Sequence, residues 1–305
     1  MNTEMIKVRA HARAIEIIAQ TLFTVCALFA IFAVAAITLY MLANGIPAIC
    51  EIGIKDILFS TIWQPTAQNA EFGILYIVLT SIVGTMMAVI IGVPIALLTA
   101  VFMAEIAPRK VAALMKPAVE LLAGIPSVVY GMLGLMILNP VVYRWEQKLY
   151  RGSETHQFTG GSNLLSAVLV LAVMILPTVL SVSESAIREV PQELRASSLA
   201  LGASRVQTIF KVVIPAAKPG ILTAIVLGVG RAVGEAMAIS LVSGGCVNVP
   251  LPFDSVRFLT TAIVSEMGYA NGRHRQVLFT IGLVLFIFIM LVNLTLNHIL
   301  RRGKE

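Results

Sequence analysis

Two residues of opposite charge stand inside an otherwise apolar stretch: Arg231 and Glu235, in GILTAIVLGVGRAVGEAMAISLV over residues 220–242. Read as a membrane-spanning helix, the stretch places Arg231 about eleven residues from either end, roughly 16 Å at 1.5 Å per residue. A lipid-embedded arginine costs about 2.5–3.5 kcal/mol on insertion scales, and at this depth its head does not easily snorkel to water. The planar guanidinium fork matches the oxygens of an oxyanion such as phosphate in bidentate fashion. Glu235 follows at i+4, on the same helical face. Two readings stay open. The pair is either a structural ion pair that holds the bundle together, or part of a substrate pathway in which Glu235 restrains Arg231 so that a bound anion is released.

Other chemistries find no support in the chain. His11, His156, His274 and His298 are scattered among loops and ends, and no Ser-His-Asp or metal-ligand grouping can be assembled from them. There is no G-x-x-x-x-G-K-[ST] loop, so ATP is not expected to bind here through a P-loop. Gly228, Gly230 and Gly234 follow no strand, and read better as close helix packing than as a nucleotide fingerprint. No catalytic residue, metal or cofactor is therefore expected. Cys26, Cys50 and Cys246 have neither C-x-x-C spacing nor a nearby histidine. Cys50 and Cys246 fall on one side of the topology below, where a disulfide and two free thiols are both open.

The elements that position the charged pair follow from composition. Of 305 residues 58% are hydrophobic and 12% charged, against about 25% charged in soluble domains. The chain reads as an all-α integral membrane protein, and its net charge of +6 reflects topology, with no nucleic-acid partner. A basic lead carrying Lys7, Arg9 and Arg13 precedes a first span over 21–43, too long for a signal-peptide core and read as an uncleaved anchor. An external connection over 44–72 holds Pro47 and Pro65. A long second span covers 72–103, kinked at Pro94. A basic turn leads to a third span over 111–142, where Glu120 near the entrance is expected to pair with Lys116. The fourth span covers 163–182 with Pro177 inside it, the fifth 220–242, and the sixth 276–300. Fourteen lysines and arginines fall on the side of both termini and the 183–218 loop, seven on the other, and Arg231 lies within a span. The positive-inside rule puts the termini and that loop in the cytoplasm.

The 183–218 loop is patterned as two short helices. Pro191 suits a first helical position, 192–201 are good helix formers, and Gly202 suits a stop. Ser204 suits an N-cap for a second helix in which Val206, Phe210 and Val213 recur at i, i+4 and i+7, closed by Pro215. The small-residue elbow of Ala200, Gly202, Ala203 and Ser204 lets a partner approach the backbone. Pro215 and Pro219 bracket the junction with the fifth span, either as a stiff elbow or as a simple boundary between helices.

This loop resembles the signature of permease subunits of ABC importers, which begins Glu-Ala-Ala, has Gly four residues after the last Ala and ends Ile-x-Leu-Pro. Gly202 and Pro215 have that separation, with Val212 and Ile214 as conservative replacements. The opening triplet is Ala196-Ser197-Ser198, so the family's acidic residue and any salt bridge it makes are missing. PAVELLAGIPSVVYGMLGL, VMILPTVLSVSESAIREVP, SLALGASR and PGILTAIVLGVGRAVGEAMA together resemble the PstC-type permease of phosphate-specific ABC importers, over about residues 72–300. The resemblance implies a MetI-like permease fold with six transmembrane helices and a cytoplasmic helix-turn-helix coupling loop. It divides the chain into 1–71, the lead, first helix and external loop, and 72–305, a five-helix permease core with the coupling loop at 184–215.

The resemblance also implies a second, PstA-type permease, two PstB-type ATPase subunits, a PstS-type phosphate-binding protein and a bacterial inner membrane. It assigns ATPase coupling to Ala196, Ser197, Ser198, Leu199, Ala200, Gly202, Ala203, Val206, Phe210 and Pro215, while the substrate pathway falls to Arg231 and Glu235 on the reading of their depth and chemistry given above. The chain is then not an enzyme, ATP being hydrolysed on a separate subunit. The rival readings are a permease for molybdate or sulfate, a self-sufficient secondary carrier, and an intramembrane enzyme. No visible inverted repeat favours the carrier, and no nucleophile-base pair in the spans favours the enzyme.

Overall fold

The computed structural model describes residues 2–302, with side chains from residue 16 to residue 295. Within these, six helical segments are long and apolar enough to cross a membrane: Glu16–Ile52, Leu75–Ile106, Ser127–Leu149, Leu164–Arg188, Arg205–Gly234 and Gly272–Thr295. The helices in order are α1 (Asn2–Ile52), α2 (Ile54–Phe59), α3 (Leu75–Val101), α4 (Arg109–Gly124), α5 (Ser127–Leu133), α6 (Asn139–Leu149) and α7 (Leu164–Arg188). Then come α8 (Gln192–Ala200), α9 (Arg205–Thr208), α10 (Ile214–Gly234), α11 (Met237–Val242), α12 (Leu259–Glu266) and α13 (Gly272–Arg302). A two-residue antiparallel pair, β1 (Trp63–Gln64) with β2 (Glu71–Phe72), closes the turn after α2.

The core is a sandwich of α3, α7 and α10, with α7 in the middle. Small residues let the backbones approach, as membrane helices require in the absence of a hydrophobic drive between them. An added Cβ at Gly92 would stand 2.8 Å from Ile175, one at Gly228 2.5 Å from Val179, and one at Gly220 2.3 Å from Ala186. Gly230 and Gly234 meet nothing within 4 Å. Of the three expected packing glycines only Gly228 packs, because the other two lie on the open face of α10.

Four expected boundaries move. The first helix runs through Pro47 to Ile52 and so includes residues read as external loop. Packing overrides the proline: Ala48 is fully buried, Gly45 admits the α13 backbone at Phe279 and Thr280, and Thr280 Oγ1 donates to the Gly45 carbonyl at 2.9 Å. The third span is not one helix over 111–142. It breaks at Ile125, whose ψ of 128° is the extended conformation that a following proline enforces. The amphipathic α4 has no buried residue, and the membrane-length run starts only at Ser127. Across the break Tyr130 Oη donates to the Leu122 carbonyl at 2.7 Å. Glu120 is exposed on α4, and no ion pair with Lys116 forms among the described residues.

Third, Pro215 does not close the second loop helix. A π-turn, Ile209–Val213, carries α9 into α10, with Pro215 in the first turn of α10 and Pro219 inside it. The Ile214 backbone donates five residues back to the Ile209 carbonyl, and Pro215 follows in the first turn of α10, where a missing donor is tolerated. Fourth, the fifth span is broken at 235–236, between α10 and α11.

At the end of the bundle away from the 183–218 loop, buried carboxylates fasten the connections. Glu146, fully buried, accepts from His156 Nε2 at 3.0 Å and from the Thr159 backbone at 2.8 Å. Glu266 accepts from Trp63 Nε1 at 3.1 Å, bonds His274 Nε2 at 2.7 Å and pairs with Arg257. All three cysteines are free and exposed.

Candidate functional site

The helix break separates the two residues that sequence spacing puts together. α10 ends at Gly234, and Glu235 is extended, with φ −73° and ψ 129°. Its carboxylate turns forward: Oε1 accepts from the Ala238 backbone at 2.9 Å, capping the first turn of α11. Its carbonyl accepts from Thr260 Oγ1 at 2.6 Å. The expected i,i+4 pair therefore does not form, because Glu235 is no longer on the helix that carries Arg231. No carboxylate among the described residues lies within ion-pair distance of Arg231, and its Nε is buried without a hydrogen-bond partner. Arg231 as a whole is half-buried, and a buried donor left unpaired is costly. Arg231 lies about 26 Å along α10 from its start at Ile214, at 1.5 Å per residue.

Thr260 was not legible as part of this site. It stands early in α12, 25 residues from Glu235 in sequence, and its type alone gives no signal. Its position is fixed from α3: the Leu259 backbone donates to Ser81 Oγ at 2.8 Å, and the Phe258 ring fills the notch at Gly84, 2.5 Å from where a Cβ would stand.

The loop at the other end of α10 forms the helix-turn-helix expected of it. Gly202 takes φ +85°, the left-handed conformation glycine accepts without strain. The Gly202 backbone donates to the Leu199 carbonyl and the Ala203 backbone to Ser198, at 3.0 and 3.2 Å. These are the two bonds of a Schellman stop. Ser204 and Gln207 then exchange bonds in a capping box, Ser204 Oγ accepting from the Gln207 backbone at 3.2 Å and Gln207 Oε1 from the Ser204 backbone at 2.8 Å.

Of the loop residues singled out, Ala196, Ser197, Leu199, Ala200, Gly202, Val206, Phe210 and Pro215 are exposed. Ser198 and Ala203 are half-buried, and Ser198 Oγ bonds Thr208 Oγ1 at 2.9 Å, clasping α8 to α9. Val213, expected to share a face with Val206 and Phe210, is fully buried. Leu201, the most exposed of these apolar residues at 89%, was not among those singled out. Leu199, Leu201, Val206 and Phe210 thus leave apolar side chains exposed on a short, stiffly capped motif.

Two arginines tie this loop to the end of the second span. Arg195 Nη2 donates to Glu105 Oε1 and to the Ile187 carbonyl, each at 2.8 Å. Arg188 pairs with Glu184 and donates to the Met103 carbonyl at 3.1 Å. Glu105 lies in a π-turn, Phe102–Ile106, that extends α3.

Residues 92–304 match the family model described as binding-protein-dependent transport system inner membrane component. Over its whole length the chain is 37% identical to 97% of a probable ABC transporter permease protein, YqgH, of Bacillus subtilis strain 168. It is 30% identical, over 93% of its length and 91% of the relative, to the phosphate transport system permease protein PstC of Pasteurella multocida strain Pm70. The fold is similar to a chain in the crystal structure of a bacterial ABC transporter involved in the import of alginate. That likeness has a TM-score of 0.59 at 16% identity and covers 90% of this chain and 96% of the other.

Proposed function

The chain belongs to the family of binding-protein-dependent transport system inner membrane components, an ABC importer permease subunit of MetI-like fold, and from that premise we propose that it carries inorganic phosphate. Arg231 binds the anion within the membrane, and Glu235 governs its release. The observation that carries this reading is the buried Arg231 Nε with no partner, on a residue with no carboxylate within ion-pair distance among the described residues; a cation so placed in a translocation subunit supports an anionic cargo. The phosphate transport permeases among its relatives support phosphate as that anion.

The pathway takes two halves. Thr223, Leu227, Gly230 and Gly234 recur on one face of α10 and are all exposed, so that face is left for a second permease subunit of PstA type. The exposed loop surface around Leu199, Leu201, Gly202, Val206 and Phe210 receives an ATPase subunit of PstB type, two of which serve the pair. A PstS-type binding protein delivers phosphate at the opposite end. With that arrangement both termini are cytoplasmic, and hydrolysis takes place on the ATPase subunits.

Uptake into proteoliposomes containing the assembled importer, with the binding protein outside and ATP inside, tests this. Phosphate should enter and sulfate or molybdate should not. Arg231→Gln should assemble with its partners yet lose phosphate uptake. Normal uptake by that variant removes Arg231 from the pathway, and preferential entry of sulfate or molybdate replaces phosphate as the cargo.

A further inference from the structure

Resting on the reading of Arg231 as an anion-binding residue, we propose that Thr260 is a positioning residue that holds Glu235 away from Arg231 and so keeps the arginine open to the anion. Nothing in the local sequence forces the break between α10 and α11. Residues 231–242 contain no proline, and Gly234 is the one weak helix former among them. An unbroken helix through this segment would set Glu235 one turn beyond Arg231, where carboxylate and guanidinium meet.

Two bonds oppose that arrangement. The Thr260 hydroxyl takes the Glu235 carbonyl at 2.6 Å, the same carbonyl that would accept from Ile239 in a continuous helix. The Ala238 backbone takes the Glu235 carboxylate. The second bond exists only while the first keeps residue 235 extended, so the hydroxyl is the control point. Thr260 is buried at 7% exposure and is held on α3 through Ser81 and the Gly84 notch. Movement of α3 against α10 therefore withdraws the hydroxyl, lets the helix close across 235–236, and brings the carboxylate onto Arg231 in competition with the bound anion. The site has two arrangements, one receptive and one expelling, and a single side chain on a third helix selects between them.

The test is a mutant cycle on the assembled importer in proteoliposomes, with phosphate uptake at saturating phosphate as the readout. Thr260→Val removes the hydroxyl at nearly constant volume, and should lower uptake about 3- to 10-fold, the span of one neutral hydrogen bond. Thr260→Ser should stay close to the parent. Because Glu235→Gln lacks the competing charge and should itself slow release, the cycle is completed on phosphate binding to the purified importer. Thr260→Val alone should weaken binding about 3- to 10-fold, and on the Glu235→Gln background it should change the Kd by less than about twofold. Co-purification of the ATPase subunit checks assembly of every variant, and Thr260→Cys, a weak donor of similar size, carries the same expectation if the valine variant does not assemble.

Unchanged uptake in Thr260→Val overturns the inference, as does an equal loss of binding with and without the Glu235 charge. The underlying reading fails separately. If Arg231→Gln transports normally, the anion site is wrong. If Arg231→Gln loses uptake while Thr260→Val acts independently of Glu235, only the role of Thr260 falls.

Discussion

Replacing Arg231 by lysine keeps the charge and loses the fork. An ammonium offers its donors around a point, whereas the guanidinium presents a planar pair matched to two oxygens of one anion. A charge-assisted hydrogen bond contributes about 1.5–3 kcal/mol, so Arg231→Lys should lower phosphate uptake by about 10- to 100-fold in a transport assay with normal assembly. Uptake within about twofold of the parent would show that charge alone is read there. That Arg231 stands inside an apolar run was legible in the sequence, and the oxyanion reading proposed above starts from that residue type. Its state of pairing was not. Spacing fixes i,i+4 neighbours only if the helix continues, and here the deciding group, the Thr260 hydroxyl, is on another element.

At the scale of elements the coupling loop shows the opposite case, where local chemistry decides. Gly202 at φ +85° and the Ser204–Gln207 capping box fix the elbow from residues within a few positions of each other; the sequence pattern anticipated the Gly202 stop and the Ser204 cap, and the return bond from Gln207 is added by the structure. Pro215 was misread as a stop because the π-turn before it has no composition of its own. Pro126 carried its signal in the residue before it, but that signal was outweighed by an apolar run read as continuous. The elbow supports a sharp prediction. A Cβ added at Gly202 meets nothing within 4 Å, so a side chain there projects away from the protein's own atoms. Gly202→Asn, which tolerates the left-handed conformation, should retain the ATPase subunit on co-purification. Gly202→Trp should lose it and abolish uptake, and retention of the ATPase by the tryptophan variant would place the contact elsewhere.

For the whole molecule, the issue is how displacement of the loop reaches a site about 26 Å away along α10. The direct route is α10 itself, continuous from the π-turn at Ile209–Val213 to Gly234. A second route runs through Arg195, whose guanidinium joins α8 to Glu105 at the end of the second span and to the Ile187 and Val190 carbonyls ending α7. The two side chains are only 15% and 13% exposed, so the link is held out of water and resists stretching more than a surface pair does. Through it the loop grips α3 and α7 as well as α10, and α3 is the helix on which Ser81 and Gly84 seat Thr260. The loop's opening triplet is Ala196-Ser197-Ser198, and the residue just before it, Arg195, supplies the anchorage. Arg195→Met keeps the aliphatic stem and removes all of these bonds, while leaving the exposed docking residues untouched. The expected outcome is an importer that still binds its ATPase and hydrolyses ATP but carries at least about threefold fewer phosphates per ATP, the scale set by losing one such link. Arg195→Lys, able to keep the Glu105 contact, should recover part of that ratio. Transport and hydrolysis measured together in proteoliposomes check this. An unchanged ratio in Arg195→Met would leave α10 as the sole route from loop to site.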